Sequence, residues 1–281
     1  MSVNQNTQTE RRLIFLLLFI AVLVPLIFPI GWKTEVSPHA KMAYDMIDSK
    51  PEGSVAILSF DYEPSTMTEL QPMATAIIEH AWSKGHKIIA TALWPQGPQV
   101  ADLAFKEMAA KFPDKVYGED YVNLGYKPGG MVTIQAMGKS LKDVYPLDIN
   151  GKKYDDLPIF KNIRALRDVT YAASLSSGVP GIKEWIMVAH DVHSVPVTGG
   201  TTAVSAPGFL PYINNQNQLY GLLGGLKAAS EYEIMIGTVG PATVKMDAQS
   251  IAHLLILIFI LVGNIKAWRI RHKPKQQAGT E

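Results

Sequence analysis

Five apolar runs of the sequence are each followed by residues of the kinds that bind small molecules. In chain order these residues are Asp61 and Glu63, Trp94, Lys127 with Gly129 and Gly130, Ser174 with Ser176 and Ser177, and Gly199, Gly200, Thr201, Thr202 and Ser205. They supply glycine amides, hydroxyls, one lysine and two carboxylates. If the runs are parallel strands, all these residues lie at one edge of a sheet, where such folds bind ligands. They form the candidate ligand-binding set.

Two of these loops could receive an anion. Gly129 and Gly130 directly precede a segment of helical spacing, with Lys127 beside them. Backbone amides at the start of a helix attract anions, and the hydroxyl-rich loop at 198–205 offers similar donors. Neither loop matches a Walker A loop or the spaced dinucleotide fingerprint. The pattern favours a small anionic ligand, and ordinary turn chemistry between strand and helix is the alternative explanation.

A serine near the fourth run gives the sequence its one catalytic candidate. Residues 174–178 read SLSSG, a degenerate form of the G-x-S-x-G nucleophile elbow in which serine replaces the first glycine. An exposed Ser176 after a strand would suit a hydrolase nucleophile. However, Val179 and Pro180 delay the next helix, and a histidine base would have to come from elsewhere in the chain. A hydrolase is therefore the alternative function.

Metal and cofactor signals are weak. His190 and His193 flank an acid, but the helical spacing before them places them at the opposite edge of the sheet, so we expect a solvated loop and no metal site. Asp61 and Glu63 are the most plausible acids for a metal or a ribose, with capping of the next helix as their other role. Trp94 either stacks on a ligand or plugs the end of the sheet. The sequence identifies no cofactor.

The spacing of apolar residues predicts the fold. Apolar runs at 54–60, 87–93, 121–124, 169–175 and 195–198 alternate with helical patterns at 37–49, 68–84, 98–112, 131–144, 157–166, 180–190 and 218–233. This alternation is typical of a parallel sheet covered on both faces. We predict an α/β fold with a doubly wound, mostly parallel sheet of about five strands, Rossmann-like or flavodoxin-like. Residues 148–156, with an Asn-Gly turn signal, should form an excursion outside the sheet.

Apolar segments near both termini predict membrane helices. Residues 13–32 carry no charge and, as a helix, would span roughly 30 Å, the thickness of the hydrocarbon layer. A cleaved signal peptide is the alternative for this segment, and a buried core helix is the alternative for the shorter run at 250–268. The predicted organisation is a head at 1–12, spans at 13–32 and 250–268, a domain at 33–249 and a basic tail at 269–281.

Charge predicts the orientation in the membrane. Cations flank the two spans on their terminal sides, at Arg11, Arg12, Lys266, Arg269, Arg271, Lys273 and Lys275. The positive-inside rule then places both termini in the cytoplasm and the domain outside the inner or plasma membrane. The whole chain carries +1, of which the head contributes +1 and the cationic C-terminal end +4, so the domain between them carries −4. This mildly acidic charge argues against a nucleic-acid partner. Because the chain has no cysteine, it forms no disulfide, has no catalytic thiolate and offers no cysteine ligand to a metal.

Two classes of function fit these observations. The first is a membrane-anchored extracytoplasmic domain that binds a small ligand or a protein partner, with the bilayer, other membrane proteins or further copies of the chain as its surroundings. The second is an extracytoplasmic hydrolase that uses Ser176. Since no complete set of catalytic groups is evident, the first is favoured.

Overall fold

A computed structural model describes residues 2–32 and 35–272 of the 281-residue chain. Lys33 and the tail from residue 273, with Lys273 and Lys275, lie outside the described residues, and so do the expectations placed on them. The described residues divide into two compact units. The terminal unit comprises the residues up to Trp32 and from Val244 onward, and the sheet unit lies between them and ends at Thr243.

The sheet unit is built on six parallel strands, as the alternating pattern predicted, with one more strand than expected. They are β1 (Val55–Asp61), β2 (Lys87–Ala92), β3 (Tyr121–Tyr126), β4 (Tyr171–Ser176), β5 (Val197–Thr201) and β6 (Leu222–Gly224). Their order across the sheet is β3-β2-β1-β4-β5-β6. The winding reverses between β1 and β4, and this switch point is where doubly wound folds open a crevice for ligands.

Helices cover both faces of the sheet because successive strand residues point to opposite sides. One face packs against α2 (Pro38–Asp48), α3 (Met67–Ser83), α4 (Gly97–Ala109) and α8 (Gly225–Met235). The other packs against α5 (Met131–Lys139), α6 (Leu141–Val144) and α7 (Ile182–Trp185), which continues as a π-helical turn (Ile186–His190). In β1, Leu58 belongs to the first core and Ile57 to the second.

Three predicted helices differ from the structure. The pattern at 218–233 contains β6 and then α8, because Gly225 adopts a φ of 71° and turns the chain between them. The pattern at 157–166 forms a single 3₁₀ turn, Pro158–Phe160, and the next 3₁₀ turn is Leu166–Asp168. The pattern at 131–144 breaks at Ser140, whose extended backbone separates α5 from α6. The excursion at 148–156 lies outside the sheet, where Leu147 and Lys153 form an isolated antiparallel bridge.

The terminal unit contains two long helices, α1 (Ser2–Ile27) and α9 (Pro241–Arg271). Among the described residues, only Pro241–Arg269, with a mean hydropathy of 2.0, is long and apolar enough to cross a membrane. Two such helices were predicted, and the described residues contain one. The reason is that α1 ends at Ile27, so the charge-free segment expected to run to Trp32 is only partly helical. The predicted boundary at residue 250 lies inside α9.

Side chains tie the two chain segments of the terminal unit together at two places. The Asp247 carboxylate is buried and accepts hydrogen bonds from the amides of Ile30 (3.0 Å), Gly31 (2.8 Å) and Trp32 (3.1 Å). Further along α9, the Lys266 ammonium donates to Glu10 at 2.7 Å. The polar groups at these two ends leave a mostly apolar stretch of α9 between them.

Close packing of α4 against β1 yields a test of the fold. A Cβ atom at Gly97 would lie 2.2 Å from the Phe60 carbonyl oxygen, whereas one at Gly208 would meet nothing within 4 Å. We expect Gly97→Ala to lower the free energy of unfolding by at least about 2 kcal/mol, because backbone cannot move aside cheaply. Gly208→Ala, the matched control, should stay within about 0.5 kcal/mol of wild type. Denaturant unfolding of the detergent-solubilised chain measures both, and equal effects would contradict this packing.

Candidate functional site

The switch point brings Asp61 and Ser176 side by side. Asp61 is the last residue of β1 and pairs in register with Ser176, the last residue of β4, which in turn pairs with Thr201 at the end of β5. Paired residues of parallel strands direct their side chains to the same face. For these three residues that is the face covered by α5 and α7.

The Asp61 carboxylate is fully buried and connects three strands. It accepts hydrogen bonds from the Ser59 hydroxyl (2.9 and 2.8 Å to its two oxygens), from the Leu93 amide (2.7 Å) and from the Ser174 hydroxyl (3.3 Å). These donors lie on β1, directly after β2, and on β4. No lysine or arginine is recorded within ion-pair distance of this carboxylate among the described residues.

Burial changes the acidity of Asp61. Removal from water raises its pKa from 3.8 to about 7, because the charged form loses its hydration. The hydrogen bonds from Leu93, Ser59 and Ser174 oppose this rise. The nearby indole N–H of Trp185 also opposes it, although no hydrogen bond of standard geometry joins that N–H to the carboxylate. Near neutral pH the carboxyl group is therefore close to half protonated.

Three buried polar atoms in this neighbourhood lack hydrogen-bond partners within the part of the chain that the structure describes. They are Thr91 Oγ1, the Tyr145 hydroxyl and Trp185 Nε1. Thr91 pairs in register with Ser59. Burial raises the pKa of Tyr145 and the charge of Asp61 raises it further, so this hydroxyl lies near the carboxyl. Trp185 in turn lowers the pKa of Asp61. A buried polar group without a partner costs about 1–3 kcal/mol. Several such groups around one carboxyl mean that hydrogen-bond donors and acceptors remain unsatisfied at this place.

Loops after three strands meet at this end of the sheet. The Trp94 indole N–H, after β2, donates to the Pro180 carbonyl, after β4, at 2.8 Å. A Cβ atom at Gly178 would lie 3.2 Å from the Trp94 ring, and one at Gly130, after β3, would lie 3.1 Å from Pro180. We call the hydrogen bond between Trp94 and Pro180 the latch. Of the two expected roles of Trp94, this geometry corresponds to a plug.

Ser176 is enclosed. Its side chain is 1% exposed, and its hydroxyl donates to the Gly178 carbonyl at 2.7 Å. A Cβ atom at Gly181 would lie only 1.9 Å from its Oγ, which shows how closely the loop folds over it. His190 is the last residue of the π-helical turn and forms a 2.8 Å hydrogen bond with Asp191, and His193 packs against Gly138.

The loop after β3 presents a lysine and two glycines with left-handed backbone. Gly129 and Gly130 have φ of 117° and 54°, angles that side chains rarely adopt, so glycine is required at both. Lys127 is half-buried, and its ammonium lies 5.7 Å from the centre of the Tyr145 ring. Through Tyr145 this loop borders the surroundings of Asp61.

The loop after β5 differs from its prediction. Gly199, Gly200 and Thr201 are strand residues, and their neighbours explain the glycines: a Cβ atom at Gly199 would lie 2.8 Å from Ile182, and one at Gly200 would lie 2.6 Å from Leu175. The Thr201 hydroxyl donates to the Ser176 carbonyl at 2.7 Å. Only Thr202 and Ser205, joined by a 3.1 Å hydrogen bond, keep hydroxyls in the loop itself.

Asp61 and Glu63, the two acids of the candidate ligand-binding set, have different surroundings in the structure. Glu63 accepts a hydrogen bond from Ser65 at 2.8 Å, and its side chain caps no helix. Ser177 donates its amide N–H to the Asp61 carbonyl oxygen.

The structure thus brings together Asp61, Ser174, Ser176, Trp94 and Gly130 at one end of the sheet. Sequence reasoning missed Ser59, Thr91, Tyr145 and Trp185. Only Ser59 and Thr91 left a signal, as polar residues inside apolar strands.

Two surface cavities lie elsewhere in the sheet unit. One of about 350 Å³ is formed by residues 154–164 around Tyr154, Phe160 and Arg164. The other, of about 230 Å³, is lined by Ser37, His39, Leu222, Lys227 and Glu231, among others. Its buried Glu231 is already satisfied by Ser37 and Lys227.

Comparison with known protein families, with curated proteins and with solved structures finds no match to this chain. Its function is therefore argued from the geometry alone.

The acidity of Asp61 predicts how stability depends on pH. Its folded pKa of about 7 exceeds the unfolded value, so the folded state holds a proton between about pH 4 and 7 that the unfolded state releases. The contribution of Asp61 to the free energy of unfolding is fully present below this pH range and is lost as the pH rises through it.

Asp61→Asn keeps the shape and removes the titration. We expect wild type to lose up to about 4 kcal/mol relative to this variant between pH 4 and 8. Unfolding curves at several pH values measure the difference, in which all other titrating groups cancel. Two curves that stay parallel throughout would show that Asp61 does not titrate there.

Proposed function

We propose that this protein is a membrane-anchored binding protein whose α/β domain lies outside the cytoplasm and takes a small, oxygen-rich ligand at the switch point. The observation that carries the proposal is the fully buried, uncompensated carboxyl of Asp61, with three unpartnered polar atoms in its surroundings. A buried titratable group with a strongly shifted pKa at a ligand-binding position of the fold is a site candidate on physical grounds.

The chemistry of the surrounding groups supports the class of ligand. The Tyr145 hydroxyl and the Trp185 indole are donors, and Thr91 adds a hydroxyl, so a ligand with hydroxyl, carboxylate or phosphate oxygens would complete them. Lys127, next to Tyr145, favours an anionic group on that ligand. The latch closes over this region, so binding requires Trp94 and Pro180 to separate.

A protein partner is the second candidate for the same edge. Val132, in the first turn of α5, and Val179, in the loop after β4, are 68% and 77% exposed. A Cβ atom at Gly130, just before α5, would lie 3.1 Å from Pro180, so the start of α5 and this loop are close to each other. Neighbouring exposed apolar side chains favour a contact surface. The hydrolase alternative has less support, because Ser176 is buried, its hydroxyl is engaged by Gly178, and no histidine is recorded as its hydrogen-bond partner among the described residues.

The terminal unit supports a two-pass anchor. From Asp247 to Lys266, α9 rises about 28 Å, close to the roughly 30 Å of a hydrocarbon layer. The chain after α1 is not helical, but the amides of Ile30, Gly31 and Trp32 are taken by Asp247. No bare amide among these three would face lipid, which is the condition for irregular backbone near a membrane.

Accessible cysteines test the placement of the domain. The chain has none of its own, so Val204→Cys, at a side chain 91% exposed, and His272→Cys, near the end of α9, each introduce a single thiol. In intact cells a membrane-impermeant maleimide should label the cysteine at 204, and label that at 272 only after permeabilisation. Labelling in the reverse order would overturn the orientation.

Inorganic phosphate is a simple probe of the proposed site. Phosphate should raise the melting temperature of the solubilised chain at constant ionic strength, since a ligand at 100 times its Kd stabilises by about 2.7 kcal/mol. Lys127→Ala should lose most of this shift, and Lys106→Ala, at an exposed lysine in the last turn of α4, should keep it. An equal shift in both variants would place the anion elsewhere, and no shift in wild type would remove the anionic preference.

A further inference from the structure

The helix α9 carries two polar residues on one face of its apolar stretch. His253 and Asn264 are eleven residues apart, and at 100° per residue their side chains project within about 20° of each other. Leu257 and Ile260, 57% and 53% exposed, fall on the same stripe between them. We call these four residues the polar stripe.

The polar stripe faces away from the packed side of the helix. Most of the less exposed residues of this part of α9, among them Asp247, Ala248, Ile251, Ala252, Leu255 and Phe259, have directions that centre roughly 200° from His253. His253 and Asn264 are exposed, and no hydrogen bond from either side chain to another described residue is recorded. The structure of one chain thus leaves this stripe open.

In a bilayer, an open polar stripe is unfavourable. Lipid tails offer no hydrogen bonds, so polar side chains along a membrane helix usually face another helix, where they form cross-helix hydrogen bonds. Gly263 and Ala267 border the stripe, and no atom lies within 4 Å of a Cβ built at Gly263. Small residues at this spacing let a second backbone come close.

We propose that a second copy of this chain docks on the polar stripe, with the two α9 helices parallel across a two-fold axis. This inference rests on the proposed insertion of α9 in the membrane. The argument for a second copy is self-complementarity. A two-fold axis normal to the membrane sets each residue opposite its own counterpart at the same depth.

Both polar residues suit such symmetric pairing. An asparagine amide carries donors and an acceptor, and a neutral imidazole carries one of each, so Asn264 can bond Asn264 and His253 can bond His253. A single buried asparagine pair fixes register and partner in parallel coiled coils in the same manner. A lysine or a carboxylate on the stripe would have required a partner of opposite charge instead.

The absence of native cysteine makes the test direct. Leu257→Cys lies on the stripe, and Ile258→Cys, the matched control, lies at nearly the same depth but about 100° away. Full-length protein in vesicles of defined lipid is oxidised with copper phenanthroline and run without reductant. We expect a disulfide-linked dimer from Leu257→Cys and little or none from Ile258→Cys.

The polar contribution is tested in the same background. Adding His253→Leu and Asn264→Leu to Leu257→Cys makes the helix more apolar, which keeps it inserted, and should lower the dimer yield about fivefold or more. Unchanged yield, or equal yields at 257 and 258, would overturn the proposal. A crosslinked product in native membranes that joins the cysteine at position 257 only to a different protein would also overturn the proposal.

Carbonate extraction separates the two levels of the argument. If the protein stays in the membrane and does not crosslink at position 257, the dimer is refuted and the proposal of a membrane-anchored binding protein is unaffected. Protein released by carbonate refutes the anchor itself.

Discussion

The buried carboxylate of Asp61 is the interaction on which the carboxyl edge of the sheet depends. It receives the Leu93 amide and the hydroxyls of Ser59 and Ser174, so the chain leaving β2 and the end of β4 are both fixed to the end of β1. The positions of Trp94 and of the loop after β4 follow from these bonds. Because the carboxyl is buried and no cation among the described residues compensates its charge, the pKa of the group that organises the edge is raised to about 7.

The periodicity of apolar residues predicted a doubly wound parallel sheet. It gave wrong predictions for very short elements and for glycines, because glycine occurs both in loops and in tightly packed strands. Leu219, Leu222, Leu223 and Leu226 have helical spacing, yet Leu222 and Leu223 lie in β6, a three-residue strand too short to show alternation. Gly199 and Gly200 were expected in a ligand loop because glycine is common there. Their actual role is close packing inside β5, which depends on Ile182 and Leu175 and is invisible in a linear pattern.

The candidate site divides in the same way. Asp61, Trp94 and Ser174 could be found from sequence, because the carboxyl end of each strand can be located from the apolar runs. Tyr145 and Trp185 could not, since tertiary packing brings them near Asp61 from the residue after α6 and from the end of α7. Their unpartnered polar atoms became visible only when every buried donor and acceptor was paired in three dimensions.

Buried carboxylates recur in this chain as acceptors for backbone amides where regular structure ends. Glu233 takes the amides of Ala242 and Thr243 at the start of α9, and Asp247 takes those of Ile30, Gly31 and Trp32. Each of these two accepts at least two amides, so its structural role is complete without any further group. Asp61 accepts one amide and two hydroxyls, which can rotate, and unpartnered polar atoms remain around it. A carboxyl whose donors can rearrange is able to exchange them for a ligand's, which is why we propose binding at Asp61 rather than at the other two.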